Sequence, residues 1–183
     1  MKNILFLILL LPVFSGCKKQ HATSFYFWKT TYNISPFEQR YLGSLNVEKL
    51  YVRFFDVDGK NGKTFPVGEI SIQEKNTQQE IIPVVFMTNE VFKDLDKNAI
   101  EELANHIKQK IGSIYPNISD KKIKEIQFDC DWTTSTRSKY FYFLNFIEKL
   151  HPELLISATI RLHQIKDRKK TGIPPVRKGV LMY

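Results

Sequence analysis

An α/β chain built on a parallel sheet is what this sequence predicts, and three observations lead there. Short β-prone segments alternate with helix-length segments along the chain, the pattern that right-handed βαβ units produce. The strand candidates are apolar on both faces, as in Ile81 to Thr88 (IIPVVFMT), which a sheet covered by helices requires. Six such strands follow one another, enough for most of a (β/α)8, TIM-barrel-like fold. A complete barrel takes about 250 residues. This chain has 183 and stops inside the apolar segment Gly179 to Tyr183. The expectation is therefore a barrel truncated after about six strands, with an open doubly wound sheet, complete at six, as the alternative.

The elements run in order along the chain. Ser24 to Lys29 is aromatic and β-prone and reads as strand one. Ser35-Pro36 opens a helix, with Ser35 at the N-cap and Pro36 at the first helical position. Lys49 to Val57 (KLYVRFFDV) is strand two, closed by turns at Asp58-Gly59 and Asn61-Gly62. Ile70 to Gln73 pairs in a small local excursion. Ile81 to Thr88 is strand three, and Asn89 caps the next helix. Val91 through Ile111 carries apolar residues at helical spacing, among them Ile100, Leu103, Ala104, Ile107 and Ile111. Lys124 to Trp132 (KEIQFDCDW) is strand four. Ser135 to Leu150 is a helix with Tyr140, Phe143, Leu144, Ile147 and Leu150 on one side, Leu154 to Leu162 is strand five, and Gly179 to Tyr183 begins strand six.

The first residues carry an address. Lys2 precedes an apolar run from Ile4 to Val13, then Phe14-Ser15-Gly16-Cys17. A basic start, a short apolar stretch and small residues before a cleavage point make an export signal, too short to span a membrane as a lasting helix. The cysteine after Ser-Gly resembles the lipobox of bacterial lipoproteins, with Phe14 where that box usually carries Leu. This implies cleavage before Cys17 and acylation of its thiol, an ordinary secretory leader being the alternative. The chain then divides into a lipoprotein signal peptide (1–16), a lipid-anchored tether (17–23) and a partial (β/α) barrel domain (24–183), held at the bacterial cell envelope by a lipid anchor in the membrane.

The formal charge is +8. Lys166, Arg168, Lys169, Lys170, Arg177 and Lys178 form a dense basic patch. It reads first as a solvated loop and second as an attraction to anionic lipid or envelope polymer. Export separates the chain from nucleic acid, so no nucleic-acid partner is expected. An acylated Cys17 leaves Cys130 without an intrachain disulfide partner; flanked by Phe128 and Trp132, Cys130 reads as a small buried hydrophobe. No metal or other cofactor is expected. His21 sits in the tether, His106 on a helix, His151 at a helix end and His163 after strand five, none with a partner at metal-ligand spacing. Asp56-Val57-Asp58-Gly59 begins like a calcium loop, but Lys60 occupies a ligand position and no Glu stands at the twelfth.

The chemistry concentrates on strand four. Alternation puts Gln127, Asp129 and Asp131 on one face and Phe128, Cys130 and Trp132 on the other. The apolar set belongs under the helices, so the polar set faces the barrel interior. Asp129 and Asp131 stand about 6.6 Å apart along the strand. Carboxylates that close in a partly dry site push one pKa upward, which suits a proton donor. Asp129 and Asp131 are thus the candidate catalytic pair, Asp131 as the acid or orienting carboxylate and Asp129, with Arg53, tuning it. On strand two, Tyr51, Arg53 and Phe55 face inward, with Arg53 expected to pair with Asp129. On strand five, Arg161 lies at the carboxyl end on the face shared with Ser157 and Thr159. Trp28 and Tyr32, at the end of strand one, could stack on a sugar ring.

Phe128-Asp129-Cys130-Asp131-Trp132 resembles the fourth-strand signature of family-18 chitinases, an apolar-Asp-apolar-Asp-Trp-Glu pattern. That family's general acid is the final Glu; here Thr133 stands in its place, and Ile126 in place of its first Asp. The chain is closer to the DUF3142 type of uncharacterised bacterial envelope proteins, through Tyr26-Phe27-Trp28, Leu50 to Asp58 and Ile126 to Tyr140. The resemblance implies a glycoside-hydrolase-like barrel and supplies no activity. The expected protein is an envelope lipoprotein that binds or hydrolyses a carbohydrate, with Trp28, Tyr32, Arg53, Arg161 and Tyr183 contacting it. The alternatives are a non-catalytic binding or scaffolding lipoprotein and an inactive fragment of a longer protein.

Overall fold

The computed structural model describes residues 22–75 and 77–182. The leader, Cys17, His21 and Tyr183 lie outside them. In chain order the elements are β1 (Thr23–Phe27), β2 (Thr31–Tyr32), α1 (Pro36–Ser44), β3 (Val47–Lys60), β4 (Lys63–Val67), β5 (Ser71–Ile72) and β6 (Glu80–Met87). Then come α2 (Val91–Asp94), α3 (Lys97–Ile114), a single 3-10 turn, β7 (Glu125–Cys130), α4 (Arg137–Leu150), β8 (Leu155–Arg161), α5 (Leu162–Lys166), α6 (Arg168–Thr171) and β9 (Lys178–Met182).

Six strands form one parallel sheet in the order β1-β3-β6-β7-β8-β9. The order never turns back on itself, whereas a doubly wound sheet reverses at a switch point. The sheet is also strongly curled. Lys178 on β9 donates to the Tyr51 hydroxyl on β3, four strands away. In a flat sheet those strands would lie about 19 Å apart, beyond the reach of both side chains. The Tyr26 hydroxyl on β1 likewise donates to Gln127 Oε1 on β7 at 2.7 Å, three strands away. The result is a half-barrel of parallel strands with a concave face.

The helices cover the convex face. Ile100, Leu103, Ala104, Ile107 and Ile111 of α3, and Tyr140, Phe143, Leu144 and Ile147 of α4, pack on Val52, Phe54, Val85, Met87, Phe128 and Cys130. Phe128 meets Phe143 edge-on at 5.0 Å, and Trp132 stacks on Tyr140 at 5.4 Å. Cys130 is a free, fully buried thiol, and burial raises its pKa well above the ordinary value.

Ser35 caps α1 in a capping box: its Oγ accepts from Glu38 N–H at 3.2 Å, and Glu38 accepts from Ser35 N–H at 2.8 Å. The single helix expected from Val91 through Ile111 is two helices. The chain extends at Leu95, and Asp96 restarts it by accepting the Ala99 N–H at 2.8 Å. Asn89 caps neither; its Oδ1 accepts the Thr136 hydroxyl at 2.5 Å. Asp58-Gly59 is not a turn, because β3 runs through it to Lys60. The turn is Asn61-Gly62, both at positive φ (50° and 70°), the two-residue geometry that returns the chain as antiparallel β4. Gly59 serves a close crossing instead: a Cβ there would sit 2.6 Å from the Val91 Cα. The excursion near Ile70 pairs Ser71–Ile72 with Thr31–Tyr32.

Candidate functional site

Strand β7 divides its side chains as a pleat must. Ile126, Phe128 and Cys130 enter the helix-side core, leaving Glu125, Gln127 and Asp129 on the concave face. Asp129, near the carboxyl end, is 2% exposed and accepts the Thr159 hydroxyl of β8 at 2.5 Å and Arg161 Nη2 at 3.3 Å. Asp131, just past β7, has its side chain 51% exposed and accepts Arg161 Nε at 2.6 Å. One guanidinium therefore bridges both carboxylates. Its place is fixed from behind: Arg161 N–H donates to Gln164 Oε1 at 2.8 Å, and Gln164 Nε2 donates to the Trp132 carbonyl at 3.2 Å. Burial pushes the Asp129 pKa up, against the lowering effects of the Thr159 hydrogen bond and Arg161, with smaller upward contributions from Asp131 and Asp56. Of the two aspartates, the buried Asp129 is the one with a proton donor's environment.

An aromatic pair stands beside this cluster. The Tyr26 ring stacks on Trp28 at 5.8 Å, and Trp28 is 40% exposed. The Tyr26 hydroxyl, pushed up to about 12 chiefly by burial, lies close enough to Asp129 for that charge to add to the rise, and it acts in turn on Arg161. Gln127 Nε2 is buried next to Asp129 with no partner among the described residues.

Three expectations need correction. Arg53 does not pair with Asp129; its Nε donates to Asp56 Oδ1 at 2.6 Å and its Nη2 to Asp56 Oδ2. Phe55 does not face inward. The register slips between Arg53, which pairs with Val84, and Phe55, which pairs with Val85. This bulge sends both Phe54 and Phe55 into the helix-side core and brings Asp56 round to the face of Arg53. Tyr32 is no sugar platform: its two-residue strand tucks it fully into the core, 5.1 Å from the Phe27 ring.

At the amino-terminal end of the same face lies a second cluster. Glu125 is 1% exposed and receives Lys178 Nζ at 2.9 and 3.0 Å, the Ser157 hydroxyl at 2.7 Å and the Tyr51 hydroxyl at 3.1 Å, with Lys49 Nζ at 3.7 Å. Lys178 thus leaves the basic patch for the concave face. Arg177 also leaves it, reaching Glu148 at 3.4 Å and the Leu154 carbonyl at 2.6 Å. Sequence reasoning missed Glu125 and Gln127 as partners of Tyr51 and Tyr26, because those contacts cross the curl of the sheet. Alternation already puts Gln127 on the face of Asp129, and one step further back puts Glu125 there. Asp56 gave no such signal, since the bulge reverses its parity.

Thr133 donates its N–H to Thr136 Oγ1 at 3.0 Å, and its hydroxyl pairs with Ser135 at 2.9 Å. Among the described residues no group of three or more His, Cys, Asp or Glu is set to hold a metal, and no helix is long and apolar enough to cross a membrane. In comparison with known proteins, no family model, no curated protein and no solved structure matches this chain.

Proposed function

We propose that the half-barrel is part of a (β/α)8 barrel of the glycoside-hydrolase-like, DUF3142 kind, and that its carboxyl-terminal mouth binds a carbohydrate at the bacterial envelope, tethered through Cys17. The observation that supports this reading is the Arg161 guanidinium spanning Asp129 and Asp131 beside the Tyr26–Trp28 stack. A sugar offers hydroxyls to carboxylates and guanidinium and an apolar ring face to an exposed indole. The mouth lies at the strand ends where barrel active sites form. Binding without hydrolysis is the primary reading, because a threonine stands where the resembling family carries its general acid.

Hydrolysis is the second reading. It is favoured by the raised pKa of Asp129 next to a second carboxylate, the pairing that lets one group donate a proton while the other stays charged. In that case Asp129 rather than Asp131 is the acid.

The test is calorimetric titration with neutral gluco- and N-acetylglucosamine oligosaccharides. Trp28→Ala and Arg161→Ala are expected to weaken binding at least about tenfold with unchanged circular dichroism. Affinity equal to the parent in both variants overturns the site. Release of reducing sugar that Asp129→Asn abolishes converts the reading to hydrolysis; turnover unchanged in that variant removes Asp129 from the chemistry.

A further inference from the structure

The connection between β8 and β9, residues 162–177, exposes apolar and basic side chains together. Leu162, Ile165 and Ile173 are exposed there, Ile173 at 72%. Leu162, Ile165 and Lys166 fall at i, i+3 and i+4 on α5, so they share one face. Ile165, Arg168 and Ile173 line a single recess of about 180 Å³, and Leu162 and Lys166 line another with Arg161, His163 and Met182. The apolar and cationic groups are therefore interleaved in space as well as in sequence.

The cations are also uncommitted. Arg53, Arg161, Arg177, Lys110 and Lys178 each hold a carboxylate. Lys166, Arg168, Lys169 and Lys170 are exposed and make no ion pair with another described residue. One acid, Asp167, stands among them.

We propose that this connection is a docking surface for an anionic lipid bilayer. Exposed isoleucine and leucine enter the boundary between headgroups and acyl chains, while lysine and arginine beside them meet the headgroup phosphates. A soluble polyanion would use the cations and leave the apolar groups in water. The presence of both is what selects a membrane. The surface is independent of the sugar-binding reading and of any acylation at Cys17.

The test is co-sedimentation of the full chain with vesicles of one part phosphatidylglycerol to three parts phosphatidylcholine, against pure phosphatidylcholine. Residues 1–21 are common to every arm and cancel in the comparison. Each basic residue near an anionic leaflet contributes about fivefold in partitioning. Lys166→Glu with Lys169→Glu is therefore expected to lower binding to the anionic vesicles at least about twentyfold, and added salt to weaken the parent more than that variant. Ile165→Ser with Ile173→Ser is expected to lower it about tenfold. Both pairs are solvent-exposed, and unchanged thermal unfolding certifies the fold. Equal partitioning of parent and charge-reversed chain overturns the proposal. So does vesicle binding untouched by the serine pair but competed away by soluble dextran sulfate, which would make the surface a plain polyanion site.

Discussion

Glu125 and Asp129 stand on one strand and one face, four residues apart, and meet opposite fates. Glu125 collects donors from Lys178, Ser157 and Tyr51, with Lys49 close by, and is sealed from solvent. Asp129 collects one hydroxyl and the far nitrogen of a guanidinium that Asp131 holds more closely, and burial raises its pKa. A buried charge with a full set of partners is a fastening; one short of partners is held away from its preferred state. The amino-terminal end of the concave face thus joins β3, β7, β8 and β9 across the curl, while at the carboxyl-terminal end Arg161 holds the buried Asp129 and the half-exposed Asp131. The two ends of a single strand thus hold their buried carboxylates in different ways.

The sharpest way to break this contrast is Glu125→Ala. Removing the carboxylate leaves Lys178 facing a half-buried space without its counter-ion. The expected loss is about 3–5 kcal/mol in chemical denaturation. A loss below about 1 kcal/mol would make the cluster incidental. Tyr26→Phe comes next. It deletes the hydroxyl that joins β1 to Gln127 across the curl and leaves Gln127 Oε1 buried without a donor. A loss of about 1–2 kcal/mol is expected, together with faster amide exchange along β1.

The smallest effect is a change of slope. The native pKa of Asp129 is raised, so its contribution to stability is fully present below the ordinary aspartate value and is lost as pH rises through the raised one. Asp129→Asn has no such loss. Relative to the parent it should therefore gain stability between acid and neutral pH. A difference that stays constant, or that shrinks as pH rises, would show that the mouth does not strain its acid.

Much of this was legible in the sequence. The period-two pattern of KEIQFDCDW assigns Asp129 to one face and Cys130 to the other without any structure, and Ser35-Pro36 announces its own helix through a local cap. Residue partnerships were less legible, since they depend on curvature. Arg161 meets both aspartates because β8 neighbours β7, while Arg53 sits two strands from β7 and finds Asp56 next door. Tyr32 looked like a platform because its two-residue pairing with β5 joins segments far apart in the chain. The break at Leu95 was hidden by an apolar period that continues across it, although Asp96 three residues before Ala99 is a cap signal.

One additional residue on β3 has a wide reach. Were the pleat regular past Phe54, Asp56 would point into the layer of Ile and Leu beneath α3, where a carboxylate has no place, and the aromatic ring of Phe55 would sit on the concave face instead. The slip in register acts as a local frameshift of the strand. Any relative in which that position is deleted would have to exchange greasy and acidic residues along the rest of the strand to keep the same hollow.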